Sequence, residues 1–209
     1  KQFHAFGNPE RTKQKKDQSW LRLYRKKPEE RVVTVGYIAL VNMEELDLIV
    51  GSGGVLSHAP RRSQSFMMMV DAFKPLGITG IAVDSIFMMP QLGVLSSIHP
   101  EAALEVFNKD CLIRLGTSIN PILKGRVADD ILFDYSLKSK NKNYAGSLKV
   151  GQIEFFSIPY EPLDAILEPN SNVDLGNGFG QRVETQVFGG EVGLVLDGRL
   201  NDSNGKIVI

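Results

Sequence analysis

Hydrophobic and polar positions follow two rhythms along this chain. From Leu46 to Val106, short apolar runs alternate with stretches of three- and four-residue apolar spacing, whereas beyond Leu115 brief β-rich runs are separated by turns. The run Leu48-Ile49-Val50 predicts a buried strand, and Gly51-Ser52-Gly53-Gly54 a tight turn into a helix. Ser63 to Phe73 predicts a helix with Phe66, Met67, Val70 and Phe73 on one face, ended by Pro75 and Gly77. Ile78 to Asp84 predicts a second buried strand ending in a carboxylate. Helices are expected to begin at Ile86-Phe87-Met88-Met89 and at His99-Pro100-Glu101. Val106 to Leu115 reads as an apolar, helix-like run that buries Cys111.

The pattern changes near Leu115-Gly116-Thr117-Ser118. Strands are expected at 131–137, 147–150, 153–158, 165–167, 182–188 and 192–196, with a polar turn from Lys138 to Ala145 and turn clusters at Asn170-Ser171-Asn172 and Gly176-Asn177-Gly178. The stretch Glu191 to Arg199 is almost wholly apolar in its middle, which predicts a central strand. Asp197 and Arg199 flank Gly198 and either pair across the turn or form a charge pair facing a partner. Three divisions follow: a basic N-terminal segment at 1–31, an α/β part at 32–115 and a β-rich barrel or sandwich at 116–209. Within the first two, Val32 to Val35 reads as a strand and Tyr37 to Glu45 is ambiguous between helix and strand.

Charge and composition narrow the function. With 24 basic and 24 acidic residues, the chain lacks the basic excess of a dedicated DNA binder. The charge is polarised: residues 1–31 carry ten Lys or Arg against four Asp or Glu, and residues 150–209 three against nine. The two ends therefore attract each other or remain separate solvated faces, and a homo-oligomer meeting head to tail is one expectation. Trp20, Leu21, Leu23 and Tyr24 interrupt the basic segment, which suits either phosphate binding or docking of a terminus. One cysteine permits no internal disulfide, which fits a cytoplasmic protein, and no apolar run reaches membrane-spanning length. The chain starts at Lys1 and its end, Lys206 to Ile209, reads as part of a strand, so a piece of a longer protein is expected.

Candidate chemistry concentrates at the glycine turn. Gly51, Gly53 and Gly54 leave the backbone bare, and a turn opening into a helix aims N–H groups at an anionic or polar ligand. The spacing is neither G-x-G-x-x-G nor a P-loop, and a structural turn with a structural Ser52 is the competing reading. Asp84, at a strand's C-terminal end, either holds a ligand hydroxyl or water or caps the following helix. Met67, Met68, Met69, Met88 and Met89 suit either a promiscuous binding groove or, at their helical spacing, core packing. His4, His58 and His99 stand apart without ligand partners, and no G-x-S-x-G elbow or paired acid–base constellation is present.

The stretches Val50-Gly51-Ser52-Gly53-Gly54-Val55-Leu56-Ser57-His58-Ala59-Pro60, Ala82-Val83-Asp84 with Met89-Pro90-Gln91-Leu92-Gly93-Val94-Leu95, and Gly189-Gly190-Glu191-Val192-Gly193-Leu194-Val195-Leu196-Asp197-Gly198-Arg199 occur in order. Together they resemble the MutL-type family associated with glutamate mutase, which is unrelated to the mismatch-repair protein of that name. The resemblance implies a portion of an actin-like ATPase lobe followed by a β-rich domain. It implies an ATP-dependent chaperone that reactivates an adenosylcobalamin-dependent aminomutase, with Gly51, Ser52, Gly53 and Gly54 cradling the adenosine end of ATP or ADP and Mg²⁺ bound in the full-length parent. The Asp-x-Gly-Gly phosphate motif of such proteins is absent from these residues, so the chain by itself is expected not to hydrolyse ATP. The ending Leu200-Asn201-Asp202-Ser203 departs from the resemblance and leaves the role of Arg199 open. The alternative function is a nucleotide-independent protein-interaction module whose acidic β half is the working surface.

Overall fold

The apolar run after Asp47 becomes β1, Leu48–Gly51, and the run after Pro75 becomes β2, Gly77–Asp84. The structure, a computed structural model, describes residues 46–140 and 142–199, so the basic segment at 1–31, the strand expected at 32–35, the ambiguous stretch 37–45 and the residues after 199 lie outside the described residues. Between β1 and β2 run the short helix α1, Gly54–Ser57, and the longer α2, Arg62–Phe73. β1 and β2 pair in parallel, so both C-terminal ends reach the same edge of the sheet.

After β2 come α3, Met89–Leu95, and α4, Pro100–Val106, then a π-helical turn, Phe107–Cys111. The helix-like reading of Val106 to Leu115 is correct only to Cys111. From Leu112 the chain forms β3, Leu112–Asn120, because Leu112, Ile113 and Arg114 pair antiparallel with Asp84, Val83 and Ala82. The remaining strands are β4, Ile122–Leu123; β5, Ile131–Lys138; β6, Asn143–Lys149; β7, Ile153–Phe156; β8, Pro162–Pro169; β9, Val173–Asp174; β10, Val183–Phe188; and β11, Gly193–Asp197. The turn expected from Lys138 to Ala145 is tighter than its polarity suggests, since Asn143, Tyr144 and Ala145 pair with Lys138, Leu137 and Ser136.

Among the described residues, five strands form a mixed sheet in the order β1-β2-β3-β11-β7, and four form an antiparallel sheet in the order β10-β8-β5-β6. The boundary expected at 115/116 falls inside β3, and β11 and β7 join the sheet that β1 and β2 begin. The pattern change at Leu115 thus marks a strand shared by both halves. Among the described residues the β-rich part does not close into a barrel, and β10 and β6 are the edges of its sheet.

Strand alternation sorts the core into two layers. Ile49, Ile81, Val83, Leu115 and Val195 pack against Phe66, Met69 and Val70 of α2. On the other face, Ile119, Leu194 and Leu196 pack with Leu132, Phe133, Leu137, Leu148, Leu163 and Leu167 of the antiparallel sheet. β11 is buried along its whole length, which places it centrally as its apolar run predicts. A bulge in β3 sets the phase: Ile81 faces Gly116 and Ala82 faces Arg114, leaving Leu115 extra. Leu115 therefore points to α2, while Thr117 and Ile119 point to the antiparallel sheet. Gly116 permits this with φ 142, at a place where a Cβ would lie 1.7 Å from the Gly193 carbonyl oxygen.

Candidate functional site

The glycine corner joins β1 to α1 at the C-terminal ends of two parallel strands, the edge where open α/β sheets hold ligands. Its residues differ in what surrounds them. A Cβ at Gly51 would lie 2.5 Å from Met69 Sδ and 2.6 Å from Leu56 Cδ1, so this glycine is walled in by packed side chains. Gly53 has φ 118 and ψ 158, a conformation open essentially to glycine alone, and its carbonyl accepts from the N–H groups of Leu56 and Ser57. A Cβ at Gly53 or Gly54 would meet nothing within 4 Å. The bare backbone that faces open space is thus the Gly53-Gly54 half of the corner, while Gly51 serves packing.

Ser52 and Asp84 tie this corner to β2. Ser52 Oγ donates to Asp84 Oδ2 at 3.1 Å, and Ser57 Oγ donates to the Asp84 carbonyl at 2.6 Å. The Asp84 carboxylate also accepts from the N–H groups of Met89 at 2.9 Å, Met88 at 3.2 Å and Ile86 at 3.4 Å. Burial disfavours its charge, but these hydrogen bonds outweigh that and hold its carboxyl below the ordinary carboxylate value. Asp84 is fully buried and takes four donors, so it both caps the turn into α3 and grips the hydroxyl of Ser52. It acts from beneath the corner, with no face toward solvent. Ser65 Oγ on the Leu56 carbonyl at 2.7 Å and Arg62 Nη1 on the Ser57 carbonyl at 2.9 Å fix α1 from the other side. Neither Ser65 nor Arg62 stands out in the sequence, since each bonds to main chain that folding brings near.

The remaining singled-out residues have structural neighbours. Cys111 is buried, and desolvation, with the nearby charges of Asp84 and Asp110, pushes its thiol up, away from the thiolate form. Met69 is core, whereas Met68 is partly exposed. Asp197 is buried and receives Arg199 through Nε at 3.0 Å and Nη2 at 2.8 Å; the same guanidinium reaches Asp71 of α2 at 2.8 Å. These contacts raise the Arg199 value, the Asp197 hydrogen bond first, and make the pair a clamp between β11 and α2. Among the described residues no three His, Cys, Asp or Glu are grouped to hold a metal ion, and no helix is long and apolar enough to cross a membrane.

Residues 13–111 match the family described as MutL protein, and of these 46–111 include β1, the glycine corner, Asp84 and both helices after it. No curated protein and no solved structure matches the chain.

Proposed function

From the premise that residues 13–111 belong to the MutL protein family, we infer that this chain contributes one wall of a nucleotide cleft in an ATP-dependent reactivating chaperone for an adenosylcobalamin-dependent aminomutase of the glutamate mutase type. The observation that carries the reading is the open backbone at Gly53-Gly54, with Gly53 in a glycine-only conformation, at the shared end of β1 and β2. A flat, charged nucleotide suits an approach without side chains. Gly53 and Gly54 fit the adenosine end; Gly51, Ser52 and Asp84 hold the corner rigid behind them. This is the role expected of half an actin-like lobe in the cytoplasm. Mg²⁺ and the attacking water belong with the phosphate motif that these residues lack. ATP and ADP would favour different closures of the lobes, and each closure would bind the mutase differently.

The test is calorimetry of ATP and ADP binding to the full-length protein, with Gly54→Leu as the variant. Gly54 faces open space in a helical turn, so the substitution leaves the fold intact while blocking close approach. A loss of about tenfold or more in affinity, roughly 1.4 kcal/mol, is expected. Equal affinities with an unchanged melting temperature count against the cradle.

A second reading, a nucleotide-independent interaction module, is favoured by exposed apolar side chains around α3 and α4. Ile86, Phe87, Val94, Ile98 and Leu104 are each more than half exposed. Mutase binding that persists unchanged without nucleotide, and is lost on Val94→Asp with Ile98→Asp, selects this reading.

A further inference from the structure

At the end of β1 and β2 away from Gly53 and Asp84, a cleft of about 590 Å³ opens between the two sheets. Its floor includes Leu48, Ile78 and Gly80, on the face of the five-stranded sheet turned away from α2. The antiparallel sheet stops short of this face, because β10 is its last strand and lines the opposite wall from Val183 to Phe188. Thr185 lies on the same side of β10 as the buried Val183 and Val187 yet is exposed, since no described residue fills the space beneath it.

The edge of β10 carries unused main-chain groups. Successive residues of a strand direct their hydrogen bonds to opposite sides. Gly189 N–H bonds the Glu161 carbonyl on the β8 side, whereas the Phe188 carbonyl receives the Thr117 hydroxyl at 2.8 Å on the other side. By this alternation the N–H and C=O of Glu184 and Gln186 point away from β8 into the cleft, where no described residue meets them.

We propose that this cleft binds an extended peptide segment of a partner protein, added as a fifth strand beside β10. The free groups recur at the two-residue step of a strand, and Gly77, Gly80 and Gly176 leave parts of the floor without side chains. The segment carries apolar residues at alternate positions, turned toward Leu48 and Ile78, and polar residues outward. Asp47, exposed, and Arg114 both line the cleft without an ion pair among the described residues, so the segment sets a lysine or arginine against Asp47 and keeps its basic residues away from Arg114. The proposal is independent of the nucleotide reading, because Gly53 and Gly54 lie off this cleft.

The test uses the full chain and the capped peptide Lys-Thr-Val-Thr-Val-Thr-Lys as probe, with amide hydrogen exchange as the readout. Slowed exchange at Glu184 and Gln186 is expected. Two further probes carry N-methyl groups on the valine or on the threonine amides. One set, facing β10, should weaken binding about tenfold, the worth of one or two main-chain hydrogen bonds, and the other should bind as the parent does. Gln186→Pro removes an edge N–H that does not serve the β8 ladder and should weaken binding similarly at an unchanged melting temperature. If that variant fails to fold, the methylated probes on the unaltered protein decide. Equal binding of all three peptides, no protection at millimolar peptide, or protection confined to α3 and α4 overturns the proposal.

Discussion

At the residue scale, the glycine corner separates two uses of one residue type. Gly51→Ala drives a methyl group into Met69 and Leu56 and should lower stability by about 1–3 kcal/mol, whereas Gly54→Ala, facing open space in a helical turn, should be neutral or slightly stabilising. Denaturant unfolding of the two variants checks this, and similar losses in both would show that Gly54 also packs. Asp84 makes a pH prediction. Its folded value lies below the unfolded one, so its contribution is full above the ordinary carboxylate value of about 4 and fades as pH falls through the lower folded value. Asp84→Asn should cost about 1–3 kcal/mol at neutral pH and flatten the acid limb of the stability curve. An acid limb as steep as that of the unaltered protein would assign the effect to other carboxylates.

At the element scale, the two sheets are joined by more than apolar packing. Tyr135 on β5 donates its hydroxyl to Glu154 on β7 at 2.5 Å, and its ring meets Phe156 edge-on at 5.6 Å. Burial first, and then the Glu154 carboxylate, pushes the phenol well above its ordinary value, so it remains a donor throughout the physiological range. Tyr135→Phe should cost about 1–2 kcal/mol by leaving Glu154 without this donor, and Glu154→Gln should recover part of the loss in the double variant. Strict additivity in chemical denaturation would mean the bond contributes nothing.

At the scale of the whole molecule, β11 is the keystone. It pairs in parallel with β3 and antiparallel with β7, so residues from both ends of the described chain share one sheet. Truncation after Phe188 should therefore unfold β2 as well as the antiparallel sheet, abolishing amide protection at Ile81 and Val83. A truncated chain that keeps that protection would show that the halves fold separately. The pairing of β3 with β2 on one side and β11 on the other places the pattern change at Leu115 inside a shared strand. Local composition records which rhythm a segment follows, while the pairing of β3 with strands on both sides is a long-range contact.

Much of the architecture was legible in order. The strands at β1, β2, β5, β10 and β11, the helix α2, the glycine turn and the Asp197–Arg199 pair all follow from local spacing, because alternation and turn chemistry act over a few residues. The filled state of Asp84, the walling of Gly51 by Met69, the bulge that turns Thr117 toward the cleft and the open edge of β10 were decided by the tertiary structure. Each depends on which distant segment lies opposite, and the packing that selects those partners has no short-range signature.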